Sequence, residues 1–148
     1  TIVRPSALYG ERCVSRRVGQ VFIENAVQNN VINIKGDGTE KLDFTYITDL
    51  VDGVKLIIEN EKSKNQTFNL TYGKAHSINN MLEIIKHHFR NVKVNYIPKD
   101  KFTPKRGTLC INEAKNTLGY EPKYSLEKGY ENYIQWYKGF WNSLENKN

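Results

Sequence analysis

The sequence predicts an α/β protein, and three observations carry that prediction. The chain opens on the apolar run Thr1-Ile2-Val3, the pattern of a buried strand in a parallel sheet. Between Gly36 and Gly53 a turn, a short strand and a helix follow one another without slack. Further short strands over 31–35, 66–70 and 92–97 alternate with amphipathic helices, the order of strands joined by crossover connections.

A buried parallel strand needs neighbours on both sides, and no initiator methionine precedes Thr1. The expectation is therefore a carboxy-terminal piece of a longer protein. Its 148 residues suffice for one ordinary domain or for part of a larger one. A hydrophobic content of 39% and a charged content of 26% are those of a soluble globular protein. No apolar run approaches the ~20 residues that cross a bilayer, and no signal-peptide pattern opens the chain, so a cytoplasmic protein without a membrane partner is expected. Cys13 and Cys110 are far apart and are expected to be buried, reduced thiols. With only His76, His87 and His88 for imidazole ligands, no metal-binding spacing is present.

The net charge of +6 favours anionic partners. Nucleic acid is one such class, but the lysines are scattered through every element instead of forming a stripe with interleaved aromatics. A non-catalytic module that binds a nucleotide or another anion is a second class, and an enzyme acting on an anionic substrate is a third.

Taken in order, Ser15 is a plausible N-cap for a helix over 15–26 whose apolar face is Val18, Val21, Phe22 and Ala26. Gly36-Asp37-Gly38 is a turn, because glycine accepts positive φ without a Cβ clash. Leu42, Phe44 and Tyr46 alternate with Asp43 and Thr45 at the period of a strand. Thr48 stands where an N-cap belongs, Asp49 falls in the positive first turn, and Leu50, Val51, Val54, Ile57 and Ile58 make a stripe. Ser77 caps a helix bearing Ile78, Leu82, Ile85 and Phe89. A short helix over 111–118 ends at Gly119, and the last helix lines up Leu126, Tyr130, Tyr133, Ile134, Tyr137, Trp141 and Leu144 as core.

Several of these strings, in this order, resemble one family. Gly36 and Gly38 followed by Asp43, Phe44, Tyr46 and Asp49 resemble the Gly-x-Gly and Arg-Asp-Phe/Tyr-x-Tyr/His-Val-x-Asp signature of extended short-chain dehydrogenase/reductases, with Leu42 where the arginine usually stands. Arg4-Pro5-Ser6-Ala7-Leu8-Tyr9-Gly10 is similar to the family's Arg-Pro-x-x-x-Tyr-Gly-Pro, with Ala7 in place of a frequent asparagine. Leu118-Gly119-Tyr120-Glu121-Pro122 through Leu126 and Gly129 resembles its ending.

The resemblance implies an NAD-dependent nucleotide-sugar epimerase or dehydratase, similar to UDP-glucose 4-epimerase, which oxidises the sugar by hydride transfer to NAD and returns the hydride. It implies the carboxy-terminal part of a Rossmann-type doubly wound fold plus the small mixed α/β substrate-binding domain. Residues 1–10 and about 42–60 would belong to the Rossmann core and the NAD-binding half would be absent. By the same resemblance, Pro5 and Ser6 touch the nicotinamide end of NAD, or of NADP, and the rest of the cofactor is held elsewhere. Arg17, Val18, Asn33, Lys35, Leu42 and Arg106 bind the nucleotide sugar, a UDP-sugar first of all, with Arg17 and Arg106 on the diphosphate. The full-length protein would be a homodimer.

No catalytic residue is assigned. Gly36-Asp37-Gly38 lacks the third glycine of a dinucleotide fingerprint and does not open a helix. Tyr124 and Lys128 keep the Tyr-x-x-x-Lys spacing but fall in the ending motif, with Ser125 expected to cap a helix between them. On its own the chain is expected to be inactive.

Overall fold

The computed structural model describes residues 1–100, 102 and 104–145, the last two of these for their backbone alone. Strands β1 (Ile2–Arg4), β2 (Leu8–Tyr9), β3 (Ile32–Lys35), β4 (Lys41–Leu42), β5 (Thr45–Tyr46), β6 (Thr67–Asn69), β7 (His76–Ser77) and β8 (Val94–Ile97) form four two-stranded ribbons. Three are parallel, β1 with β6, β2 with β5 and β3 with β8, and β4 with β7 is antiparallel. Among the described residues five α-helices cover them, α1 (Val18–Val27), α2 (Ile47–Glu59), α3 (Ile78–His88), α4 (Asn112–Leu118) and α5 (Leu126–Glu145), with a single 3-10 turn at Glu61–Ser63. This is the expected α/β class with parallel pairing.

Two apolar cores hold the ribbons and helices together. The larger gathers Phe22, Ile23 and Ala26 of α1, Ile32 and Ile34 of β3, Met81, Leu82 and Ile85 of α3, and Tyr130, Tyr133, Ile134 and Tyr137 of α5. The smaller comprises Phe68, Leu70, Ala114, Leu118 and Tyr120. The expected α5 stripe is therefore core as far as Tyr137, Trp141 packs at its margin, and Leu144 lies outside the described side chains.

Four expectations need correction. First, β1 is present and parallel, but Ile2 is 59% exposed, since only β6 pairs with it among the described residues. Second, residues 42–46 do not alternate between core and solvent. The strand breaks at Asp43-Phe44, so that β4 joins β7 and β5 joins β2, and Asp43 and Thr45 are as buried as Phe44 and Tyr46. Third, neither Ser15 nor Thr48 is an N-cap. α1 starts at Val18 after Arg17 and α2 at Ile47 after Tyr46, both without a side-chain cap. Ser15 instead accepts a hydrogen bond from Arg17 Nε at 3.2 Å. Fourth, Cys110 is exposed and Cys13 half-buried, both as free thiols.

The Ser77 cap is present with a full capping box, Asn80 returning the bond to the Ser77 amide. Gly119 ends α4 at φ 69°, a left-handed conformation suited to glycine. Gly36 and Gly38 turn the chain at φ 77° and 76°. Only glycine fits at position 38, where an added Cβ would meet Asn79 Oδ1 at 2.0 Å. Asn79 holds that turn, donating from Nδ2 to the Asp37 carbonyl at 3.0 Å and from its amide to the Gly38 carbonyl at 3.0 Å. Thus the Gly-x-Gly turn is fastened to the start of α3.

Candidate functional site

A cavity of about 400 Å³ opens beyond the carboxyl ends of β1 and β3, the position where α/β proteins place ligands. Ser6 and Ala7 from the loop after β1, Leu8 and Tyr9 of β2, and Arg17, Val18 and Gly19 at the start of α1 form one side. Lys35, Glu40, Leu42, Phe44, Ile78 and Arg106 form the other. Of the residues expected to bind cofactor or substrate, Ser6, Arg17, Val18, Lys35, Leu42 and Arg106 come together here. Asn33 lines an adjoining cavity of about 250 Å³ that shares Val18, Lys35, Glu40 and Ile78 with the first. Pro5 lines neither and lies exposed in the loop before Ser6.

Local chain geometry explains how these groups converge. Ala7 takes φ 36°, a left-handed conformation that a Cβ disfavours, which swings the chain from β1 into β2 and leaves Ser6 and Ala7 on the cavity wall. α1 begins at Val18, so its first amides, which have no intrahelical acceptor, lie at the cavity beside Arg17. Arg16 is turned away at φ 44° and pairs with Glu24 at 3.0 Å. Its neighbour Arg17 is therefore the cation left to the cavity. Leu42 brings an apolar side chain to the wall, while Lys41 lines a third, adjoining cavity with Lys35, Lys99, Lys105 and Arg106. That division is the one expected of successive residues in a strand.

Sequence reasoning missed Glu40, Tyr9, Phe44 and Ile78 as wall residues. Among the described residues Glu40 is the sole acid lining the main cavity, and it pairs with Lys99 at 3.2 Å. Arg17, Lys35 and Arg106 thus give the cavity a net positive character against an apolar floor of Leu42, Phe44 and Ile78. The signal for Glu40 was its place between the glycine turn and the strand, and for Phe44 its place beside Leu42 in the same motif.

Both motif acids prove to be buried fasteners. Asp43 accepts from Thr71 Oγ1 at 2.9 Å and Leu109 N at 3.1 Å through Oδ2, and from Gly73 N at 3.1 Å through Oδ1. Asp49 accepts from the amides of Lys123 at 2.8 Å and Tyr124 at 3.1 Å, which ties α2 to the segment entering α5. Burial pushes the Asp49 carboxyl above its usual range, and these two amide bonds oppose the shift. Burial also raises the Tyr46 hydroxyl, which donates to Glu11, and the Tyr9 hydroxyl, which donates to the Ser125 carbonyl at 3.5 Å.

Lys128 Nζ lies over the Tyr124 ring, 4.7 Å from its centre, and Ser125 Oγ accepts from the Lys128 amide at 3.3 Å. Neither residue lines the cavity. Among the described residues no three His, Cys, Asp or Glu side chains converge as metal ligands, and no helix is long and apolar enough to cross a membrane.

Residues 1–71 match the model of the NAD dependent epimerase/dehydratase family. The chain is 34% identical over 119 residues to a UDP-glucuronate 4-epimerase of Thermodesulfobacterium geofontis, covering 79% of this chain and 36% of that protein. An epimerase of Methanothermobacter thermautotrophicus superposes with a TM-score of 0.90 at 28% identity, covering 97% of this chain and 44% of its own. The UDP-glucuronic acid 4-epimerase of Bacillus cereus, solved in complex with UDP-glucuronic acid and NAD, superposes with a TM-score of 0.87 at 25% identity, covering 95% of this chain and 45% of its own. The chain thus spans less than half the length of these relatives. With its α/β fold matching roughly the carboxy-terminal half of those structures, the chain is similar to the NAD dependent epimerase/dehydratase family, whose model matches its first 71 residues.

Proposed function

We propose that this chain forms the nucleotide-sugar-binding portion of an NAD-dependent epimerase or dehydratase. The observation that carries the reading is the convergence of Arg17, Lys35 and Arg106 from three separate elements on one cavity with an apolar floor. A nucleoside diphosphate sugar carries two phosphates and a flat base, and a diphosphate is best held by several donors, arginine forks among them. Arg17, with the free amides at the start of α1, faces the diphosphate from one side and Arg106 from the other, while Val18, Asn33 and Lys35 border the base. Leu42 adds contact area without charge, so that the two arginines carry the phosphate recognition.

The chemistry that NAD would supply, if bound, is reversible acceptance of a hydride from the sugar. The residues present fit only one edge of that cofactor. Ser6 lies at the rim of the cavity and exposed Pro5 beside it, and among the described residues no glycine-rich turn between a strand and a helix is available for its pyrophosphate. Pro5 and Ser6 would therefore border the nicotinamide ring next to the sugar. Within the whole protein this chain's part is to bind and orient the sugar, and alone it binds without turnover.

Titration calorimetry with UDP-glucose, UDP-glucuronic acid, dTDP-glucose and GDP-mannose tests the reading. Saturable binding of a UDP-sugar is expected, with Arg106→Ala lowering affinity at least about tenfold, the scale of a lost charged hydrogen bond. Unchanged affinity in that variant, or stabilisation by oligonucleotides alone, would sink it.

A further inference from the structure

We infer that Asp43 is a positioning residue, which sets the loop carrying Arg106 against the cavity wall. Asp43 is fully buried and has no place in the cavity lining, yet its chain neighbours Leu42 and Phe44 both line the cavity. Its carboxylate receives donors from two separate loops. Thr71 Oγ1 and Gly73 N come from the bend after β6, and Leu109 N comes from three residues beyond Arg106.

Other bonds tie the same loop elsewhere. Asn69 Nδ2 donates to the Cys110 carbonyl at 2.7 Å and Ala75 N to Thr108 Oγ1 at 2.9 Å, which fix the loop to β6 and to the bend. Of these contacts, only the bond to Asp43 ties the loop to the segment 42–44, between β4 and β5, whose Leu42 and Phe44 line the cavity. A carboxylate suits the task because it is acceptor-only, so all three donors can be satisfied at once. An asparagine could keep its carbonyl oxygen where Thr71 and Leu109 both donate and turn its amide toward Gly73, whereas an alanine removes all three acceptors and leaves the Leu109 amide unpaired. Arg106 itself is exposed, and its side chain gains a fixed origin from the backbone held at Leu109.

The inference deepens the nucleotide-sugar reading and rests on it for the ligand, although not for the geometry. Its test therefore has two arms. Hydrogen exchange of the full chain should show the Leu109 amide protected in the wild type. In Asp43→Ala, amides over 105–110 should exchange about tenfold faster or more, while those of α3 and α5 stay within about twofold. A wild-type Leu109 amide exchanging at the rate of open loops would overturn the inference without recourse to any variant, as would uniform quickening in the variant.

The second arm compares UDP with uridine, which lacks the phosphates. Asp43→Ala should weaken UDP about tenfold and leave uridine within about twofold, because the displaced group is a phosphate donor. Equal losses for both ligands would make Asp43 a general stabiliser and overturn the positioning role. If the wild type binds neither, the proposed function fails, and the exchange result alone decides what Asp43 does.

Discussion

At the scale of single residues, the fold depends on a few close approaches that tolerate no extra atom. Gly129 of α5 is the clearest. A Cβ there would lie 2.3 Å from the Tyr9 hydroxyl and 3.1 Å from the Tyr46 ring, and both tyrosines are packed in the main core. Gly129→Ala should cost about 1–3 kcal/mol of stability through overpacking, read as a lower denaturant midpoint. Gly139, ten residues further along α5, meets nothing within 4 Å. There the same substitution should add about 0.5–1 kcal/mol, because alanine loses less backbone entropy in a helix. If the two variants shift the midpoint in the same direction, the packing of α5 against β2 and β5 is misdescribed.

At the scale of elements, caps and fasteners decide where helices begin. Ser77→Ala removes one half of a capping box and should cost about 1 kcal/mol, measurable by thermal or urea unfolding. Asp49 offers a test in pH. Burial raises its folded pKa above that of the unfolded chain, so its contribution to stability is fully present below the unfolded value and is lost as pH rises through the folded one. Asp49→Asn stays neutral throughout. The wild-type melting temperature should therefore fall relative to the variant's as pH rises above the ordinary aspartate value of about 3.9, and a constant difference would contradict a raised pKa.

These elements also mark how far the sequence was legible. Ser77 and Gly119 were readable because their own side chain, or lack of one, forms the cap. The starts of α1 and α2 were not, because each follows an extended residue whose side chain makes no cap. The alternation over 42–46 misled because Asp43 and Thr45 are covered by the bend at 71–73, a partner far along the chain. Buried acids satisfied by distant amides leave no local periodic trace. For the cavity, motif order located six of its walls, while Glu40, Tyr9 and Ile78 joined it through folding of the chain around them.

At the scale of the molecule, the two cores are unequal. The main core unites residues of β2, α1, β3, β5, α3 and α5 with aromatic contacts along α5, whereas the second holds five buried residues between β6, α4 and the inner side of α2. Val51 and Ile58 on the outer side of α2 are 57% and 79% exposed. Less buried apolar area means a smaller free energy of local opening. Hydrogen exchange should therefore find amides of β1, β6 and α4 opening at lower free energy than those of α3 and α5, and identical protection across both sets would show a single cooperative unit.

The pairing of Glu40 with Lys99 bears on how an anion would reach the cavity at all. With the one acidic wall residue already neutralised by a lysine, the opening presents uncompensated positive potential to the solvent. Such a field acts over about 8 Å at physiological ionic strength and shrinks as salt is added. Capture of a charged nucleotide should then slow markedly with added salt while its release changes little. Lys99→Ala, by freeing Glu40 to repel the incoming phosphates, should flatten that dependence in stopped-flow measurements.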